Sequence, residues 1–160
     1  MNTHHVRALV LAVLVAFSTA GNAEDMIMGR IPMRAEVVME YLKSSIQEHG
    51  YKVAHVQMCD GGMQAFGYQS DVYRVVFFGK IAEVRMLSEK YPELVSYLPL
   101  KMAVIAEKDE TLISVLNPEA LAPFFKEEEL QTQFGRWRND LVSILKDVRR
   151  TTEQNLVAAN

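Results

Sequence analysis

The stretch Val72-Tyr73-Arg74-Val75-Val76-Phe77-Phe78-Gly79 constrains the fold more than any other in this chain. Apart from Arg74, both alternating faces of the run are apolar or aromatic, which is the pattern of a strand covered on both sides. Gly79 breaks the run at its end. The stretch therefore reads as a central strand, and its surroundings have to bring apolar cover to two faces rather than one.

The chain has 160 residues. Its start combines His4, His5 and Arg7 with an apolar run over residues 8–17 and then small residues, the layout of a cleavable secretory signal with cleavage near Ala23. Ten apolar residues are too few to span a bilayer, so no stable membrane insertion is expected and the product is expected to be periplasmic or secreted. Removing residues 1–23 leaves 16 Lys and Arg against 20 Asp and Glu. That balance, with no basic cluster beyond Arg149-Arg150, argues against nucleic acid as a partner. Cys59 is the single cysteine, so no intrachain disulfide can form and a free thiol needs a place.

Residues 26–31 read as a first strand stopped by Pro32. Residues 35–48 follow as a helix, with Ala35, Val38, Leu42 and Ile46 at three- and four-residue steps and His49-Gly50 closing it. Residues 51–58 alternate as a second strand, with Ala54, Val56 and Met58 assigned to the core face and Val53, His55 and Gln57 to the other. Residues 59–68 carry three glycines and read as a loop, with room for one helical turn. After Gly79, Ile81, Val84, Leu87 and Tyr91 mark a second helix, and Pro92 restarts the chain as a short turn. Residues 100–106 and 111–116 form a hairpin across a four-residue charged turn. Asn117-Pro118 opens a short helix. In the last helix Leu130, Phe134, Trp137, Leu141, Ile144 and Val148 form one stripe, suited either to packing on the sheet or to a dimer seam. Residues 151–160 read as a disordered tail.

The expected architecture is therefore a single α+β domain over residues 24–150, in the order β-α-β-loop-β-α-β-β-α-α. One sheet of about five strands carries its helices mainly on one face. Its second face needs a partner or the last helix.

Three blocks resemble the domain of unknown function 302 family: the strand and helix of residues 26–50, the strand Tyr73-Arg74-Val75-Val76-Phe77-Phe78-Gly79, and Tyr97-Leu98-Pro99-Leu100-Lys101 running on to Asn117-Pro118. The resemblance implies a small α+β domain with a tendency to dimerise, and it implies no reaction. Members commonly place His after the Asp that enters the loop and Asn-Pro after the glycine of the central strand. Here Asp60 is followed by Gly61 and Gly79 by Lys80-Ile81, so only Asp60 and Gly79 carry over as family positions, with Cys59 beside the first.

Three functional readings follow. In the leading one, an exported, non-catalytic domain binds a small ligand or a protein partner at a rim made by Cys59, Asp60, Tyr68, Tyr73, Arg74, Gly79 and Lys80, where small ligands often sit at strand ends. The structural alternative is that Arg74 pairs with a neighbouring carboxylate. In the second, His55, Cys59 and Met63 bind Cu(I), because thiolate, imidazole and thioether suit it. In the third, Cys59 is an enzymatic or redox thiol, although no second cysteine can resolve a disulfide and only two histidines follow the signal. A homodimer is expected, and no cofactor is required apart from the copper of the second reading.

Overall fold

The computed structural model describes residues 25–68 and 72–158. The expected signal peptide lies outside the described residues. The strands are β1 (Met26–Ile31), β2 (Lys52–Met58), β3 (Tyr73–Gly79), β4 (Leu100–Glu107) and β5 (Glu110–Leu116). The helices are α1 (Ala35–Glu48), the short α2 (Asp60–Gln64), α3 (Ile81–Lys90) and α4 (Glu128–Ala158), with 3-10 segments at Pro92–Tyr97 and Pro118–Phe124. All five strands pair antiparallel in the order β1-β5-β4-β3-β2, an open sheet with helices packed against it. This is the α+β architecture that the element order implies.

One face of the sheet forms the core. Ile31, Val76, Phe78, Met102, Val104, Ile113 and Val115 are buried there against Val38, Leu42 and Ile46 of α1 and the whole stripe Leu130, Phe134, Trp137, Leu141, Ile144 and Val148 of α4. Each such large side chain contributes roughly 1.5–3 kcal/mol by leaving water. The stripe is thus used up within the chain and offers no dimer seam. The helices are tied to each other by the Ser45 hydroxyl, which donates to the Ile144 carbonyl at 3.3 Å, and by His49 Nε2 at 2.9 Å from Asp147.

Among the described residues the other face has no helix over its middle. β3 lies between β4 and β2, but Tyr73, Val75 and Phe77 on its outer side are only half-buried while Val76 and Phe78 on its inner side are fully buried. The strand is central as expected, yet the expected cover on its second face is missing among the described residues.

Three further details depart from the sequence pattern. A bulge between Val53 and His55 in β2 puts both Val53 and Val56 against the core, opposite Phe78 and Val76, and leaves Ala54 and Met58 exposed. The assigned core face is corrected for Val53 and Ala54, because one extra residue resets the two-residue alternation, whereas Met58 keeps the face of Val56 and is exposed at the end of the strand. The hairpin turn is two residues, Lys108-Asp109, since Glu107 pairs with Glu110, and Lys108 takes the left-handed φ of 54° that the tight turn requires. Finally, α4 continues to Ala158, so residues 151–158 are helix rather than disordered tail. Thr152 is fully buried and its hydroxyl donates to the Val148 carbonyl at 2.9 Å, anchoring a turn whose exposed composition reads as polar tail.

Candidate functional site

The residues expected to share one rim separate to the two ends of β3. Arg74 and Lys80 are six residues apart, about 20 Å along an extended strand.

At the first end, β2 hands over to α2 through Cys59, whose amide donates to the Tyr73 carbonyl at 2.9 Å. This places Asp60 beside the start of β3. Its carboxylate accepts from Arg74 Nη1, at 2.5 Å for Oδ1, and from the Tyr73 amide, while Arg74 Nη1 also donates to the Tyr73 carbonyl at 3.0 Å. Both side chains are about 20% exposed. Burial opposes ionisation of Asp60, but the hydrogen bonds from Arg74 and from the Tyr73 amide, with the guanidinium charge, together outweigh it and hold the carboxyl below its ordinary value. The pair is a clamp that latches the glycine-rich segment to the sheet, the structural alternative weighed for Arg74. Tyr68 stacks edge-on against Tyr73 with ring centroids 6.2 Å apart. Met58 and Phe66 stand exposed nearby in sequence.

Each suggested copper ligand has its own setting. His55 points its Nε2 at Gln57 Oε1, 3.3 Å away, and lies beside the Phe77 ring on the outer face. The half-buried Cys59 directs its thiol at the Gln57 carbonyl at 3.8 Å, and Met63 belongs to α2. Among the described residues no three His, Cys, Asp or Glu side chains group as a metal site.

At the second end, Lys80 Nζ lies 4.4 Å over the Tyr51 ring and 3.4 Å from Asp140 Oδ2, which also accepts from the Tyr51 hydroxyl at 2.6 Å. Burial first, and then this bond to Asp140, drive the Tyr51 pKa far above its ordinary value. Next to it Glu83 accepts from the Trp137 indole at 2.7 Å and pairs with Arg136, which also donates to Gln133. Sequence reading singled out Lys80 but missed Tyr51, Glu83 and Asp140. The available signal was that a buried Trp137 needs a partner for its N–H, and that Gln133, Arg136 and Asp140 run at helical spacing beside the apolar stripe. This network ties α3, α4 and Tyr51, just before β2, together and leaves Lys80 committed.

Gly79 has a packing role. A Cβ built there would meet Val84 Cγ2 at 2.7 Å and Pro99 Cβ at 3.5 Å, so α3 approaches β3 closely only because the side chain is absent. Beside this contact lies an open cleft of about 460 Å³ lined by Lys52, Ala54, Gly79, Ile81, Val84, Arg85 and Pro99.

The outer sheet face joins these two ends. Across it Arg30, Leu112, Ile105 and Tyr73 form one row, and Met28, Ser114, Ala103, Val75 and Gln57 the next. Met26, Met28 and Leu116 are exposed, and Leu112, Ala103, Ile105, Val75 and Phe77 are half-buried. Arg30 closes one corner through pairs with Glu107 at 2.9 Å and Glu110 at 3.3 Å. No helix among the described residues is long and apolar enough to cross a membrane.

Fold and site thus define a small α+β domain with an open antiparallel sheet, an aromatic-lined outer face and no assembled catalytic set among the described residues. The chain belongs to the family "Domain of unknown function DUF302", whose model matches residues 30–148. Its structure is similar to the crystal structure of an uncharacterized conserved protein DUF302 from Bacillus stearothermophilus, with a TM-score of 0.69 at 17% sequence identity over 79% of this chain and 100% of that one. No curated protein matches the sequence.

Proposed function

We propose that this chain is an exported, non-catalytic binding domain that works as a homodimer, two copies packing outer sheet face to outer sheet face. The observation that carries the reading is the pair of uncovered neighbouring rows that hold Leu112, Ile105 and Tyr73 in one and Met28, Ala103 and Val75 in the other, apolar in a position that solvent would reach in a single copy. Five strands about 4.8 Å apart and six residues long make a face of roughly 24 by 20 Å. Two corrugated faces of that size bury on the order of 1,000–1,400 Å² together, at the lower end of stable interfaces, and a two-fold arrangement makes the same patch serve both copies. Tyr68, stacked on Tyr73, extends the surface toward the glycine-rich segment. The non-catalytic part of the reading is supported by Asp60 and Arg74 being spent on each other and by the Cys59 thiol facing a backbone carbonyl. The export part of the reading is supported by the signal-like sequence of residues 1–23.

Sedimentation equilibrium of the chain beginning at Glu24 tests the assembly. The expected result is a dimer at micromolar concentration that Val75→Glu or Phe77→Glu converts to a monomer with unchanged far-ultraviolet circular dichroism. A parent protein that stays monomeric up to about 100 μM, far above the dissociation constant expected of a stable interface, or variants that stay dimeric, would overturn it. Export is checked by the N-terminal residue of the protein recovered outside the cytoplasm, expected at Glu24.

A further inference from the structure

We propose that the cleft beside Gly79 is a binding site for an amphipathic monoanion, a free single-chain carboxylate whose head group meets Lys52 and Arg85 and whose tail lies on the apolar floor. The cleft, about 460 Å³, is in the size range of small-molecule sites. Its floor is Ala54, Gly79, Val84 and Pro99, with Ile81 at one side. Ile81 is 58% exposed although it belongs to the apolar stripe of α3, so a large aliphatic side chain is presented to the cleft instead of to the core.

The two charges in the lining are both positive. Lys52 comes from β2 and Arg85 from α3, both are exposed, and neither has an ion pair or side-chain hydrogen bond among the described residues. Other cations of the domain differ. Lys80 is held by Asp140, Arg136 by Glu83 and Arg74 by Asp60. In a chain with a formal net charge of −3, two unpaired cations converging on one apolar cleft with no carboxylate in its lining make a local positive field over a hydrophobic surface. A carboxylate supplies the missing partner for these cations, with the guanidinium able to bind both oxygens, and an alkyl chain covers the floor.

The bulge in β2 and the bare Gly79 build this shape. The bulge turns Ala54 outward next to Lys52, and Gly79 lets Val84 close the far side at van der Waals range. The inference does not depend on the homodimer, because every residue of the lining belongs to one copy.

Octanoate titrated into the full chain beginning at Glu24, followed by calorimetry and by amide shifts of Ala54 and Ile81, tests the site. One octanoate per chain is expected, with 1-octanol and acetate each binding at least about tenfold more weakly, since head and tail each supply an interaction. Lys52→Gln and Arg85→Gln are each expected to weaken octanoate by roughly three- to tenfold, the range for losing one exposed charge-assisted contact. Both side chains are on the surface, so melting temperatures should not move. Ile81→Asn should weaken octanoate and octanol alike. The proposal is overturned by no binding at millimolar octanoate, by equal affinity for octanol, by acetate or inorganic phosphate binding as tightly as octanoate, or by a Lys52→Gln/Arg85→Gln protein that binds as the parent does.

Discussion

Replacing Gly79 by alanine tests how tightly α3 is docked on β3. The added methyl would sit 2.7 Å from Val84 Cγ2, whereas carbon atoms in contact prefer about 3.5–4.0 Å. Val84 is β-branched and stiff at χ1, and Pro99 Cβ, 3.5 Å away, closes the other side, so helix or strand must shift. Overpacking of this kind costs about 1–3 kcal/mol. The φ of Gly79 is not positive, so no left-handed strain adds to this, and the stiffer unfolded chain returns about 0.4–1 kcal/mol. The net loss is then roughly 0.5–2 kcal/mol, or roughly 2–7 °C in melting temperature for a domain of this size. Thermal melts followed by the single Trp137 should be run on Gly79→Ala, Val84→Ala and the double variant. Val84→Ala removes the obstructing methyls, so the double variant should lose at least about 1 kcal/mol less than the sum of the single losses. A Gly79→Ala protein that melts within about 1 °C of the parent, or strict additivity, would refute the close-packing account.

Asp60→Asn should weaken the latch on the glycine-rich segment by about 1–2 kcal/mol at pH 7, the scale of a charge-assisted hydrogen bond. Because the folded-state pKa of Asp60 lies below its unfolded value, this stability is present above the ordinary carboxyl range and is lost as pH falls through the folded pKa; urea midpoints of parent and variant should converge toward pH 3, and an equal gap at pH 7 and pH 3 would contradict it. Deleting residues 151–160 removes the buried Thr152 and its bond to Val148, and should lower the melting temperature by a few degrees, on the order of 1 kcal/mol. An unchanged melt would return those residues to the status of a tail.

The helices were legible because their signals are local. The stripe from Leu130 to Val148 repeats at helical spacing, and each of its members is buried as that spacing implies. The bounds of α1 and the Asn117 cap, whose Oδ1 accepts from the Glu119 amide at 3.1 Å, likewise follow from residues a few positions apart. The candidate site was legible only in part. Arg74 was weighed correctly as the partner of a carboxylate, yet Lys80 was grouped with it although an entire strand separates them. Both are charged residues bordering one apolar run, and sequence order does not say that the run spans the sheet from end to end.

The sequence by itself determined that this is an α+β domain with a strand at 73–79, which helices flank it, and that one stripe on the last helix must be buried. Periodicity and caps encode these over short stretches of chain, where the energy of each choice is decided by neighbouring residues. The tertiary structure alone decided that a bulge turns Val53 inward and Ala54 outward, that α4 runs on to Ala158, and that Lys52 and Arg85 line the same apolar cleft. Those outcomes depend on which strands pair and in what register, and pairing is set by contacts between residues as far apart in sequence as Ile31 and Thr111, which no local pattern can specify.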